Sequence, residues 1–447
     1  MTLEINDKQV LVLGLGDTGL SALRWLKRQG ARLSVADTRK EPPGLEAVRA
    51  EFPSIAVHLG PFSRPIFDGI ELIVASPGVP LAEPELQAAM VRGIAVVGDV
   101  ELFAQFKPAS AKVIAITGAN GKSTVTALVG EMCQRAGLKT IVAGNIGLPV
   151  LEALGQGTAD IYVLELSSFQ LETTFSLEAD AATVLNVTED HMDRYDGMAE
   201  YAAAKARVFH GKGVQVLNRE DGWSRGMGLP GRQVVTFGSD AAANGFGLIE
   251  RDRKTWLAEG GKVLLDVAEM KIAGLHNATN ALAALALCRA IGLEYAPLLQ
   301  ALREFKGLPH RVQWVADVNG VAFYDDSKGT NVGATCAALA GMPSKVVLIA
   351  GGDGKGQDFS PLRDPVARNA RAVVLIGRDS MQIQNVLEGC GVPLSRAATM
   401  EEAVRQAHAA AQPGDAVLLS PACASWDMFR NYVHRAEAFI AAVKELN

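Results

Sequence analysis

A chain of 447 residues, 49% of them apolar, carries enough hydrophobic surface to fill about three cores. Its net charge of −6 comes without a basic block, which argues against a nucleic-acid partner, and no apolar run approaches the ~20 residues of a membrane-spanning helix. The five cysteines, at 133, 288, 336, 390 and 423, form no Cys-x-x-Cys pair, and the amino terminus lacks a basic-then-apolar leader; we therefore expect a soluble cytoplasmic protein with neither a disulfide framework nor a zinc site.

Residues 9–13 read as a strand, followed by the turn Gly14-Leu15-Gly16-Asp17-Thr18-Gly19, a helix to about 29, and a strand over 32–36 with Asp37 at its tip. This is a βαβ dinucleotide fingerprint, in which glycines let the backbone approach a pyrophosphate and the acidic residue reaches a ribose. A tight turn without a ligand is the alternative, and the fingerprint does not separate NAD from a UDP-sugar. A strand over 70–75 ends in Ser76-Pro77-Gly78-Val79-Pro80, a second loop of the kind where open α/β sheets bind ligands.

After a linker at 107–110, a short strand over 113–116 runs into Thr117-Gly118-Ala119-Asn120-Gly121-Lys122-Ser123-Thr124, and a helical pattern continues from 125. Strand, glycine turn and helix start make an anion cradle, with Lys122 for terminal phosphates and Ser123 or Thr124 for Mg²⁺. It is a shortened phosphate loop, since the usual spacing would place a glycine at Ile116; an ordinary turn is the competing reading. Strands over 140–143 and 161–164 follow, the second ending at Glu165 where a magnesium-binding carboxylate belongs, unless it is simply an exposed strand-end glutamate. A strand over 183–186 delivers His191 to the same crevice. Residues 201–209 are helical, and Lys205 on that helix reads as a solvated lysine. Residues 213–218, 233–238 and two runs flanking Glu259-Gly260-Gly261-Lys262 read as strands without chemistry. Asn277 and Asn280 then open an alanine-rich helix on one face, suited to an adenine edge, with plain capping by Asn277 as the alternative.

Pro309-His310-Arg311 looks like a hinge. A strand pair over 313–318 and 321–324 is joined by Asn319-Gly320, a hairpin signal, and delivers Asp325-Asp326-Ser327-Lys328-Gly329-Thr330-Asn331. A strand over 346–350 ends in Gly351-Gly352-Asp353-Gly354-Lys355-Gly356, which presents Lys355 either to an anionic group or to solvent. Strands over 372–376 and 416–419 follow, the last opening onto Ser420-Pro421-Ala422-Cys423-Ala424-Ser425 and a helix. Packing is the expected role of Cys423, which has no histidine nearby.

These motifs resemble the Mur ligase family over essentially the whole chain. The shortened phosphate loop, Gly144-Asn145-Ile146-Gly147-Leu148-Pro149, Glu165-Leu166-Ser167-Ser168-Phe169-Gln170, His276-Asn277-Ala278-Thr279-Asn280 and Asp326-Ser327-Lys328-Gly329-Thr330-Asn331 match family blocks in family order. The N-terminal turn with Asp37-Thr38-Arg39 and the segment from Ser420 to Ser425 look like the branch that adds D-glutamate; the Asp-Asn-Pro-Arg motif of the diaminopimelate-adding branch is absent from the sequence.

The resemblance implies an α/β protein of three domains: a Rossmann-like UDP-binding domain over 1–100, a P-loop ATPase-type domain over 101–307 with a mainly parallel sheet plus a small antiparallel one, and a Rossmann-like amino-acid-binding domain over 308–447. It implies that Thr18 contacts the diphosphate, that Asp37, Thr38 and Arg39 border the uracil, and that Ser76 and Asn145 line the muramoyl-alanine path. Gly118, Ala119, Asn120, Gly121, Lys122, Ser123, Thr124, Asn277, Asn280, Arg311 and Asp326 would hold ATP. Lys328, Thr330, Lys355, Ser425 and the backbone near Tyr432 would hold D-glutamate. Two Mg²⁺ ions are implied, with Ser123, Glu165, His191 and a CO₂-derived carbamate on Lys205 as ligands; Lys122, Glu165, His191 and Lys205 would be the catalytic set. The substrates implied are UDP-N-acetylmuramoyl-L-alanine and D-glutamate, joined through an acyl phosphate by a monomer. A folate polyglutamyl ligase should lack the N-terminal fingerprint, a non-catalytic UDP-sugar or ATP sensor should lose the metal ligands, and a nicotinamide dehydrogenase remains the third alternative.

Overall fold

Three successive stretches of the chain each build one sheet. In the computed structural model, residues 3–272 and 274–446 are described. The first sheet is wholly parallel, in the order β3 (Ala56–Leu59), β2 (Arg32–Asp37), β1 (Gln9–Leu13), β4 (Leu72–Ala75), β5 (Ala95–Val97). Order reverses between β1 and β4, so the loops after them face one crevice, the topological switch point.

The second sheet has nine strands. Its parallel part runs β11 (Val234–Phe237), β10 (Val214–Asn218), β9 (Ala181–Val184), β6 (Lys112–Thr117), β8 (Ile161–Glu165), β7 (Thr140–Gly144). The antiparallel part does not stand apart: β12 (Phe246–Arg251), β13 (Lys254–Glu259) and β14 (Lys262–Asp266) continue the same sheet beyond β11. The third sheet runs β15 (Gln313–Val318), β16 (Val321–Asp325), β20 (Ala416–Leu419), β17 (Val346–Gly351), β18 (Ala370–Ile376), β19 (Leu394–Arg396), parallel except for the first hairpin. That hairpin turns at Asn319 and Gly320, both at positive φ (54° and 77°) as a two-residue primed turn requires.

Successive side chains of a strand point to opposite faces, and the inner strands are apolar on both because both are covered by helices. In β6, Val113 and Ala115 enter one core while Ile114 and Ile116 enter another. The first of these cores is shared: Val10, Val12, Trp25 and Phe103 belong to it together with Val113, Tyr162 and Leu164. Phe103 meets the Tyr162 ring edge-on at 5.0 Å, so the first two sheets are joined through apolar packing. The cores of the third sheet contain only residues beyond 311.

Helix boundaries shift where chemistry is placed. The helix expected from 125 begins at Lys122 (Lys122–Arg135), and the alanine-rich helix is Leu275–Ala290 with Gly274 as its N-cap. Asn277 therefore lies inside the first turn, and the capping alternative falls. Strand β9 ends at Val184, so residues 185–191 form a longer loop than expected. Among the described residues no helix is long and apolar enough to cross a membrane.

Candidate active site between three sheets

The phosphate loop is held open by its neighbours. Gly118 (φ 149°) and Gly121 (φ 84°) occupy left-handed backbone, and a Cβ on Gly121 would stand 2.6 Å from Asn280 Oδ1. The loop is pinned from β9's exit: the Ala119 and Asn120 N–H groups donate to Asn186 O (2.9 Å) and Asn186 Oδ1 (2.8 Å). Lys122 donates to the carbonyls of Gly118 (2.9 Å) and Ala119 (2.8 Å), and burial pulls its pKa below the ordinary lysine value. Beside it, a cavity of about 350 Å³ is lined by Asn120, Gly121, Thr124, Asn277, Asn280 and Arg311, among others. Asn280 donates to Asn277 Oδ1 (3.3 Å), and Arg311 donates to Ser123 Oγ (2.8 Å) across to the phosphate-loop helix. Asp326 lines the same cavity; burial raises its pKa to about 7 while Ser420 donates to it at 2.7 Å.

A second cavity, of about 570 Å³, opens at the switch point of the first sheet and is lined by Thr18, Asp37, Thr38, Arg39, Ser76 and Asn145, among others. The Asp37 carboxylate accepts from the Leu15 N–H (2.7 Å) inside the glycine turn and from the Arg39 guanidinium (2.9 and 2.7 Å). Burial opposes its ionisation, yet those donors hold its pKa below the ordinary carboxylate value. Ser76 donates to Gly14 O at 3.2 Å.

Glu165 ends β8 beside β6, the strand that feeds the phosphate loop, and its charge acts on Lys122. Its Oε1 accepts from Asn145 Nδ2 (2.7 Å), on the wall of the second cavity, while its buried Oε2 has no hydrogen-bond partner. A buried carboxylate oxygen without a donor is costly unless a cation takes it. Lys205, expected in solvent, is instead 1% exposed; its Nζ donates to Gly118 O (2.9 Å) and lies 4.3 Å from the Tyr201 ring centre. Burial and the Lys122 charge drive its pKa well below the usual lysine range, which favours the neutral amine. His191, at φ 60°, is held 3.6 Å from the Asp190 carboxylate; burial lowers its pKa to about 4, so it is a neutral imidazole with a free lone pair near neutral pH. Among the described residues no three His, Cys, Asp or Glu side chains converge as a metal cluster. The unpartnered Glu165 oxygen is a donor that a cation could take.

The third sheet adds cations. Lys328 sits 3.9 Å over the Tyr432 ring, and burial lowers its pKa to about 8. Lys355 (φ 54°) forms an ion pair with Asp190 across the sheets, and Asn331 also donates to Asp190 (3.3 Å). Burial opposes the ionisation of Asp190, but Lys355 holds its pKa down. Thr330 is half-buried beside Lys328, Ser425 is 4% exposed, and the Tyr432 carbonyl accepts from Ser327 Oγ (2.7 Å). Cys423 is buried and its thiol pKa is pushed up by burial, in keeping with a packing role. Lys122, Arg311, Lys328 and Lys355 act electrostatically on one another and on Glu165 or Asp190, an excess of positive charge suited to polyanions.

Asp190, Arg194 and Arg435 were not among the expected site residues. Arg435, 1% exposed, donates to Ser327 O (2.7 Å), Ser327 Oγ (3.0 Å) and Cys423 O (3.0 Å), tying together the two loops that carry Lys328 and Ser425.

A Rossmann-like sheet, a phosphate-loop sheet and a third α/β sheet meeting at one cationic cleft define a Mur-type ligase architecture, and the comparisons agree. Sequence models of the Mur ligase MurD-like N-terminal domain, the Mur ligase middle domain and the Mur ligase glutamate ligase domain match residues 8–98, 116–288 and 310–423. The chain belongs to the Mur ligase family. It is 67% identical over 446 residues to the UDP-N-acetylmuramoylalanine–D-glutamate ligase of Methylobacillus flagellatus, covering 99% of this chain and 98% of that one. It is 57% identical over 466 aligned positions to the ligase of the same name from Thiobacillus denitrificans, covering 99% and 98%. Among solved structures it resembles the UDP-N-acetylmuramate-alanine ligase MurC of Thermotoga maritima (TM-score 0.62, 20% identity, 98% of this chain and 100% of that one). MurF of Acinetobacter baumannii shares the fold equally (TM-score 0.62, 17% identity, 100% and 93%).

Proposed function

We propose that this chain joins D-glutamate to UDP-N-acetylmuramoyl-L-alanine with ATP cleavage, a step of peptidoglycan precursor synthesis, acting in the cytoplasm as a monomer. The observation that carries this reading is the place of Glu165, hydrogen-bonded to Asn145 on the wall of the sugar-nucleotide cavity and, at the end of the strand beside β6, within electrostatic reach of Lys122 in the phosphate loop. An acid emerging from one cavity meets a triphosphate emerging from the other. A folate-type ligase does not need the first cavity, a sensor does not need the Glu165, His191 and Lys205 set, and a nicotinamide enzyme does not need the phosphate loop.

In this reading residues 1–100 bind the UDP group through Thr18, Asp37, Thr38 and Arg39, and Ser76 and Asn145 steer the alanine carboxylate toward Lys122. Residues 101–307 bind ATP: residues 118–124 cradle the phosphates, Asn277 and Asn280 read the base, and Arg311 and Asp326 enclose it from the third sheet. Lys122 offsets the charge that gathers on the transferred phosphoryl group. Two Mg²⁺ ions fit Ser123 with Glu165, and His191 with a carbamylated Lys205; they would supply charge neutralisation between the two anions. Burial favours the neutral form of the Lys205 amine, and a neutral amine can add to CO₂, releasing one proton and leaving a carboxylate-like carbamate. Residues 308–447 bind D-glutamate through Lys328, Thr330, Lys355, Ser425 and the backbone near Tyr432. The alanine carboxylate takes the γ-phosphoryl group of ATP and ADP leaves; the D-glutamate amine then attacks the acyl phosphate, and phosphate and the amine proton are released as the amide forms.

The test is phosphate release from ATP. It should require both UDP-N-acetylmuramoyl-L-alanine and D-glutamate, and fall sharply when L-glutamate or D-alanine replaces the latter. Release with no dependence on the sugar nucleotide would overturn the assignment. Carbamylation predicts a ¹³C resonance on incubation with labelled bicarbonate that is lost in Lys205→Arg.

A further inference from the structure

The loop that carries His191 also reaches the first sheet, through one side chain. Arg194 is 15% exposed and donates Nη1 to Pro77 O (3.3 Å) and Nη2 to Val79 O (3.1 Å). Pro77 and Val79 both line the sugar-nucleotide cavity. The same guanidinium lies 3.5 Å from the Glu172 carboxylate and stacks on Phe169, 4.3 Å from the ring centre. Phe169 meets His191 edge-on at 4.8 Å. The next residue extends the contact: Tyr195 stacks on Phe169 (6.0 Å), donates to Glu172 (2.5 Å), and packs 5.1 Å from Tyr201, whose ring lies under Lys205 Nζ.

One planar fork thus touches the backbone of the sugar-nucleotide loop on two of its edges and the aromatic support of His191 on its face. Only arginine has that shape: five donors fixed in a plane with a face that stacks on a ring. We propose that Arg194 is a positioning residue that couples the sugar-nucleotide cavity to the metal side of the active site. The inference rests on the ligase reading above. An occupant that presses on residues 76–79 reorients the guanidinium, and Phe169 passes that displacement to the His191 ring. Binding of the acid substrate and of Mg²⁺-nucleotide are then linked, and by linkage the effect is reciprocal.

The experiment uses the full chain and measures binding by calorimetry of UDP-N-acetylmuramoyl-L-alanine, of UDP, and of a non-hydrolysable Mg²⁺-ATP analogue, each alone and the first and third together. In Arg194→Ala the affinity for UDP-N-acetylmuramoyl-L-alanine should fall about tenfold, as loss of charge-assisted hydrogen bonds to a loop would give. UDP, held at the other end of the cavity, and the nucleotide analogue alone should change less than about twofold. The mutual enhancement expected of the wild type should collapse to about one. Arg194→Lys keeps the charge but not the fork, and should recover part of the affinity and little of the coupling; it serves equally if the alanine variant does not fold. A folded variant that melts lower but keeps both affinity and coupling overturns the proposal, as does a wild type that binds both ligands with no mutual effect. A wild type that binds no UDP-N-acetylmuramoyl-L-alanine overturns the ligase reading instead.

Discussion

One seam of this molecule has an apolar core, and the other, among the described residues, has none. Between the first and second sheets runs a single apolar core, with Phe103 against Tyr162 and Trp25 edge-on to Phe106 at 4.9 Å. Between the second and third sheets the contacts are polar: Lys355 with Asp190, Asn331 with Asp190, Arg311 with Ser123, and the Asp358 N–H with Glu189 at 3.0 Å. No core cluster of described residues crosses that second seam. Apolar burial is strong and non-directional, whereas each hydrogen bond or ion pair contributes only about 1 kcal/mol net, because its groups exchange one set of polar partners for another. The first seam is therefore a fixed joint and the second a separable one, with the chain crossing it near His310, itself at φ 61°.

The contrast can be broken in graded ways. Lys122→Ala should leave the fold intact and cut ligation by about 10³-fold or more, read as phosphate release; amide formation at the original rate would remove the phosphate loop from the mechanism. Phe103→Ala, in the apolar seam, should cost about 3–5 kcal/mol in urea unfolding, through lost burial and a cavity. Asp190→Asn, in the polar seam, should cost about 1–3 kcal/mol, because the largely buried Lys355 ammonium loses its anion although the amide keeps the shape. It should still raise the KM for D-glutamate about tenfold, since Lys355 loses the anion that orients it. The pH profile sharpens this further. Burial places the Lys328 pKa at about 8, so its ammonium is present below that pH and lost above it. The KM for D-glutamate should therefore rise as pH passes 8, and Lys328→Arg, charged throughout, should flatten the rise. The smallest effect is geometric: small-angle scattering should show slight compaction when Mg²⁺-ATP analogue and sugar nucleotide are added, with closure at the second seam only.

Much of this was legible in the chain because the chemistry sits at ends of strands that advertise themselves. Strands β1, β6, β8, β17 and β20 are buried on both faces and so read as unbroken apolar runs, each followed by a polar loop. Strand β12 was missed because half of it is exposed and it ends in charges, and β5 and β19 because three residues carry no periodic signal. Lys205 read as a surface lysine because its helix is alanine-rich and offers no apolar stripe; what buries it is the phosphate loop, 87 positions away. Asp190 and Arg435 were invisible for the same reason. Their partners lie 165 and 108 residues distant, and no local spacing encodes such pairs. A weak cue existed for Asp190, adjacent to His191, and none for Arg435.

The contents of the two seams also bear on how this architecture can be rebuilt. A boundary made of interdigitated rings and aliphatic chains cannot be cut and rejoined to a foreign piece without repacking dozens of atoms at once. A boundary made of a few charges and amides asks a replacement for little more than a lysine, an asparagine and an arginine at matching places. The third lobe is accordingly the exchangeable module, and chimaeras that graft another such lobe after residue 308 should fold where grafts at residue 100 do not.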